Sequence, residues 1–123
     1  MGNASDFIIE NGVLVAYNGS DSHMAIPEGV TAIAPKLLEG KSHVTSVTIP
    51  SSVTEIRGVA FYDCPALMSI TVPAGVTEVG FGAFLDCPSL TDIYVDQSER
   101  LLLVNVSVPE GCTIHWNSTV LDR

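Results

Sequence analysis

Apolar and polar positions along the 123-residue chain recur with a period of 23. Val47–Ser69 reads VTIPSSVTEIRGVAFYDCPALMS, and Ile70–Asp92 reads ITVPAGVTEVGFGAFLDCPSLTD. Eleven of these 23 positions are identical. One unit earlier, Met24–Ser46 reads MAIPEGVTAIAPKLLEGKSHVTS. It keeps Pro27, Val30, Thr31 and an apolar Ile33, but carries Leu37, Leu38 and Lys41 where the others have Ala-Phe and Cys. A fourth unit opens with IYV at Ile93 and then departs, as terminal repeats that cap a stack do.

Within a unit the pattern predicts three pieces. Leu67, Ile70 and Val72 follow the spacing L-x-x-L-x-L, as do Val44, Val47, Ile49 and Leu90, Ile93, Val95. The alternation at the end of each run predicts a short strand with one face inward. Pro50 and Pro73 end these strands, because proline has no N–H to give a ladder. VTEI and VTEV predict a second short extended piece, with Val53, Ile56, Val76 and Val79 toward the core. In GVAFYDCP and GAFLDCP, the residues Ala60, Phe61, Cys64 and Ala83, Phe84, Cys87 fit one side of a helical turn closed by proline.

One such coil has too little apolar surface to fold alone. Stacked coils set equivalent residues about 4.8 Å apart. Phe61 then lies over Phe84, Cys64 over Cys87, Leu67 over Leu90 and Ile70 over Ile93. These eight residues are the expected structural core. A cysteine nucleophile is a singular residue in an electropositive, partly open site. Cys64 instead repeats with the fold, on the side of Phe and Leu, beside an aspartate that does nothing to activate it. It reads as a small buried hydrophobe. All three cysteines, Cys112 included, are expected to be reduced.

At the ends the pattern changes. FIIENGVLVAY, residues 7–17, predicts a β-hairpin about Asn-Gly. LLLVNVSVPEGCTIHW predicts two more strands, Leu101–Val106 and Cys112–Trp116, joined through Pro109–Gly111. The expected organisation is one domain over 1–123: a hairpin cap at 1–23, three repeats at 24–95 and a C-terminal cap at 96–123. Solenoid ends expose strand edges, so each is either a cap or a contact for a second copy.

Composition narrows the function classes. The chain is 46% hydrophobic and 15% charged, enough for a core and unlike a disordered segment. Five Lys and Arg face fourteen Asp and Glu, a net charge of −9. Lys36, Lys41, Arg57, Arg100 and Arg123 are scattered, so no basic patch exists for nucleic acid or an anionic membrane. The acidity suits solubility or a basic partner. No apolar run is long enough to insert in a bilayer, and MGNASDFIIENG does not read as a signal peptide. The compartment is therefore open: cytoplasmic as the chain stands, or a fragment of a secreted surface protein. The Asn-x-Ser/Thr triplets at Asn3, Asn18, Asn105 and Asn117 read as chance in a chain rich in these residues. His23, His43 and His115 lack metal-ligand spacing. Asp63 and Asp86 align at a turn, a usual place for Asp. No catalytic set, phosphate loop, metal or other cofactor is expected.

The pattern VTIPSSVTEIRGVAFYDCPALMSITVP resembles the BspA-like, or Treponema-type, leucine-rich repeats of bacterial surface proteins. The likeness covers roughly Met24 to Val95. The lead-in DFIIENGVLVAYNG is similar to the segment that precedes such repeats in gut bacteria. The resemblance implies a leucine-rich-repeat solenoid: a β-rich right-handed superhelix of 23-residue coils, with short parallel strands on its concave face. It also implies binding to a protein or surface, with adhesion the usual role, and no catalytic motif. On that face the outward positions form two files. Ala25, Thr48, Thr71 and Tyr94 make one; Ser46, Ser69 and Asp92 make the other. Repeat proteins bind through such surfaces, and tyrosine is enriched at binding hot spots. The candidate ligand-binding residues are therefore Ser46, Thr48, Ser69, Thr71, Asp92 and Tyr94. The expected function is a non-catalytic module for a protein partner; a self-associating solenoid or spacer is the alternative.

Overall fold

Among the described residues the alternating runs fold into ten short strands, with no α-helix. The structure is a computed structural model and describes residues 6–96 and 106–116. The strands are β1 (Phe7–Glu10), β2 (Val13–Tyr17), β3 (His23–Ala25), β4 (Ala32–Ile33), β5 (Ser46–Thr48), β6 (Glu55–Ile56), β7 (Ser69–Val72), β8 (Glu78–Val79), β9 (Asp92–Val95) and β10 (Thr113–Trp116). They form two five-stranded sheets, in the orders β1-β2-β4-β6-β8 and β3-β5-β7-β9-β10. Every pairing in the second sheet is parallel. The chain is thus a solenoid in which each full coil gives one strand to each sheet.

The register is the sequence period made spatial. Ser46, Ser69 and Asp92 are partners across the ladder, and so are Thr48, Thr71 and Tyr94. Inward-facing Val47, Ile70 and Ile93 are buried between the sheets, with Val53, Ile56 and Val76 from the other side. Val79 is half-buried against the same core. Phe61 and Phe84 are both 0% exposed, with ring centroids 6.1 Å apart and planes 4° apart. Among the described residues no polar or charged side chain is buried. The core is held by apolar burial, about 1.5–3 kcal/mol for each large side chain.

The segment expected as a helical turn is a pair of left-handed kinks instead. Lys36, Val59 and Gly82 share positive φ (59°, 52° and 68°), and so do Gly40, Asp63 and Asp86 (74°, 58° and 58°). Two such residues per coil interrupt any helix. Alternate N–H groups of the turn go to the next coil, Phe61 N donating to Ala83 O at 2.8 Å and Asp63 N to Leu85 O at 3.0 Å, while Ala60 N and Tyr62 N close local turns on Arg57 O and Val59 O at 3.2 Å each. Asp63 and Asp86 are there because Asp tolerates this conformation. Val59 is β-branched and does not.

The repeated threonine has a similar task. Thr54 and Thr77 each direct a backbone N–H and a hydroxyl at the carbonyl of the threonine one coil earlier. Thr31 does the same to Gly12, at the hairpin.

The hairpin forms as expected, with Asn11 (φ 51°) and Gly12 (φ 81°) in the turn. It does more than cover the end: β2 pairs in parallel with β4, so the hairpin is part of the first sheet. At the other end, β10 is the last rung of the second sheet, paired in parallel with β9. Residues 101–105 of the expected strand Leu101–Val106 lie outside the described residues, as do Asn3, Asn105, Asn117, Arg100 and Arg123. Val106 is half-buried against the core and is not in a strand.

Candidate functional site

The alternation of each short strand sets which side chains leave the second sheet. Thr48, Thr71 and Tyr94 are exposed, while Ser46, Ser69 and Asp92 are half-buried. Prolines after β5 and β7 keep these strands short, so each coil presents only two or three outward groups. All six residues singled out from the sequence therefore stand on one face, in two parallel files.

Two histidines join these files that sequence spacing did not assign to them. His23 is the partner of Ser46 in the ladder, and His115 is the partner of Tyr94. His23 bridges the files: its Nδ1 lies 2.6 Å from Ser46 Oγ and its Nε2 3.2 Å from Thr48 Oγ1. At the opposite end His115 Nε2 lies 2.8 Å from Asp92 Oδ1. The Thr91 hydroxyl donates to Asp92 Oδ2 at 2.8 Å. The His115 hydrogen bond, followed by that from Thr91, holds the Asp92 carboxyl below the usual carboxylate range.

His115 also stacks on Tyr94, with centroids 4.5 Å apart and planes 13° apart. On its other side Tyr94 meets Thr71, a much smaller side chain. This step in side-chain height opens a shallow groove of about 280 Å³, lined by Thr71, Tyr94, Val95, Asp96, His115 and Trp116. The signal for His115 was a strand pattern, TIHW after DIYV, with Ile114 opposite Ile93. The last coil advances only 21 residues, from Asp92 to Thr113, so a fixed period of 23 passes over it.

The other chemistry-bearing residues are structural. The third histidine, His43, donates from Nε2 to Gly19 O at 3.0 Å and stacks on the buried Tyr17. Cys64 and Cys87 are buried and reduced. The Cys87 thiol donates to Phe61 O at 2.8 Å, which fills a carbonyl of the preceding coil. The neighbouring Cys87, then burial, push the Cys64 thiol far above the ordinary thiol range, while the hydrogen bond with Cys64 lowers the Cys87 thiol; both stay sealed in the core at 1% exposure, unlike a partly open nucleophile site. Among the described residues no cluster of His, Cys, Asp or Glu could hold a metal ion. A larger groove of about 500 Å³ runs beside the turns, between Asp63, Asp86 and Ser107–Pro109. It presents two turn aspartates and an apolar floor, whereas the smaller groove on the sheet collects aromatic, hydroxyl and carboxylate groups within one surface.

A family model described as BspA type leucine-rich repeat region matches residues 15–114, in six copies. Among solved structures, the chain is similar to a leucine-rich cell surface protein from Faecalibacterium prausnitzii A2-165, with 26% identity and a TM-score of 0.61. The match covers 89% of this chain and 40% of that protein, so the chain spans well under half of its length. No curated protein matches significantly.

Proposed function

The chain belongs to the BspA-type leucine-rich repeat family, and from that premise we propose that it is a non-catalytic interaction module. It binds a protein partner through the outward face of the β3-β5-β7-β9-β10 sheet. The observation that carries this reading is the register: Ser46, Thr48, Ser69, Thr71, Asp92, Tyr94 and His115 are brought into two files on one parallel sheet. The sheet is rigid, because each strand is held by ladder bonds and by buried residues behind it. A preordered face loses little conformational entropy on binding. Tyr94 adds a large amphipathic contact, 45% exposed, at one end. The likeness to a cell surface protein supports a place at the bacterial surface, as part of a longer protein.

The test is affinity capture from cell-surface extract with wild type and two folded variants. Thr71→Glu/Tyr94→Ala alters the face. Thr54→Glu alters an exposed position beside the other sheet. A partner held by wild type and Thr54→Glu but lost from the face variant supports the reading. A partner held equally by all three contradicts it.

A second reading has its own observation. Among the described residues β3 pairs only with β5 and β10 only with β9, so no described strand covers either edge of this sheet. Such edges suit head-to-tail stacking of copies or a spacer within a longer solenoid. Light scattering after size exclusion separates the two: a stable homo-oligomer favours stacking, and a monomer favours the interaction module.

A further inference from the structure

We propose that the groove beside the turns is a second binding site, which seats a lysine or arginine side chain of a basic protein. The alkyl stem lies on the apolar lining and the charged head meets Asp63 and Asp86. The site is separate from the outward face of the sheet, so it goes beyond the reading above and fails independently of it. Three observations converge on it. The first is shape. The groove encloses about 500 Å³, within the roughly 300–1,000 Å³ of ligand pockets. Leu85, Pro88, Val108 and Pro109 line it with apolar surface, and Leu85 is 37% exposed.

The second is local charge. Asp63 and Asp86 hold the same turn position in successive coils, each at φ 58°, so they stand about one strand spacing, ~4.8 Å, apart. Both are exposed, and among the described residues neither carboxylate has a hydrogen bond or ion pair. Only backbone is engaged: Asp63 N donates to Leu85 O, and Asp63 O accepts from Gly40 N. The turn itself does not call for the acid, since Gly40 holds this position one coil earlier at φ 74° with no side chain. No Lys or Arg lines the groove; Lys36 and Lys41 belong to the preceding coil. Two like charges this close repel, and a cation placed between them relieves the repulsion. Lysine and arginine suit the rest of the groove, because their stems cover apolar surface while the head stays in water. A calcium ion takes roughly six to eight oxygens, and among the described residues no third ligand joins the pair. A wholly apolar occupant would strip water from both carboxylates and replace none of it. The third observation is the whole-chain charge of −9, which draws basic proteins and repels anionic ligands.

The experiment titrates the full, isotope-labelled chain with the peptide acetyl-Gly-Lys-Gly-amide through the millimolar range and follows backbone amide shifts by NMR. Three analogues replace its lysine: arginine, Nε-acetyllysine (stem without charge) and diaminopropionic acid (charge on a short stem). The lysine and arginine peptides are expected to give saturable shifts at Leu85, Asp86, Cys87 and Val108 that weaken as salt is raised. The short-stem peptide binds more weakly, and the acetyllysine peptide gives no saturable shift. Asp63→Asn and Asp86→Asn keep a residue that tolerates the left-handed turn. Each weakens lysine-peptide binding about two- to fivefold, the scale of an exposed ion pair. Glu78→Gln removes the same charge from exposed β8 and leaves binding unchanged. Equal binding of the acetyllysine peptide overturns the proposal, as does an affinity unchanged by both Asn variants. A loss from Glu78→Gln as large as that from Asp86→Asn also overturns it, because the attraction is then diffuse. So does the absence of shifts at the groove amides with either basic peptide. The peptide series on wild type stands even where an Asn variant fails to fold. The sheet face is judged separately, by whether Thr71→Glu/Tyr94→Ala still loses the captured partner.

Discussion

Gly82→Val tests whether the left-handed turn positions set the stacking of coils. Gly82 sits at φ +68°, one coil after Val59 at φ 52°, and is itself buried. A Cβ at Gly82 would lie 3.2 Å from Val59 Cγ1. The left-handed conformation costs an L-residue about 1–2 kcal/mol. Overpacking against Val59 adds about 1–3 kcal/mol. Replacing glycine stiffens the unfolded chain and returns about 0.4–1 kcal/mol. The net is a loss of about 1–4.6 kcal/mol, centred near 3 kcal/mol, or roughly 10–15 °C in Tm at that centre for a domain of this size. The mirror change, Val59→Gly, gives the sharper sign. Truncating a half-buried valine in an ordinary conformation should destabilise. Here it removes a strained φ worth about 1–2 kcal/mol, which offsets the lost burial and glycine's extra chain entropy, and the account predicts stability within about 1 kcal/mol of wild type. The assay is urea unfolding followed by far-UV circular dichroism, comparing midpoints at constant slope. A Val59→Gly variant less stable by more than about 1 kcal/mol, together with a neutral Gly82→Val, would refute a shared left-handed column.

Other expectations are brief. Phe84→Ala removes a fully buried ring stacked on Phe61 and should cost about 3–5 kcal/mol in the same unfolding assay. Tyr94→Ala changes an exposed side chain and should shift stability by no more than about 0.5 kcal/mol. In native protein a thiol reagent should modify the half-buried Cys112 first, and reach Cys64 and Cys87 only on unfolding, as mapped by mass spectrometry of the labelled peptides. The Asp92 carboxyl, followed by NMR, should titrate below an ordinary aspartate, and His115→Gln should move it upward. Because its folded pKa is depressed, the small stabilisation from this group is present above the unfolded carboxylate pKa. It is lost as pH falls through the lower folded value.

The 23-residue repeat made the inward face legible. Phe61, Leu67, Ile70 and their counterparts Phe84, Leu90, Ile93 are buried as their spacing implies. The same alternation placed Thr48, Thr71 and Tyr94 outward. What the pattern did not convey were features set between coils. The helical turn expected around Phe61 is a kinked turn, because apolar spacing says nothing of the positive φ at Val59 and Asp63. A valine in that conformation carries no sequence signal; its aligned partner Gly82 was the available clue. The second sheet neighbour of the hairpin was hidden for a similar reason, since β4, β6 and β8 are only two residues long. His115 escaped because the last coil is two residues shorter than the others. His23 lay one full period before Ser46 and was within reach of the same arithmetic.

The most direct measurement of the central claim is NMR mapping of the full chain with the captured partner. Backbone amide shifts are followed as unlabelled partner is added. The account predicts perturbations concentrated at Ser46, Thr48, Ser69, Thr71, Asp92, Tyr94 and His115, strongest at the Tyr94–His115 end. Perturbations centred instead on β4, β6 and β8, or on the turns around Asp63 and Asp86, with the two files unchanged, would contradict it.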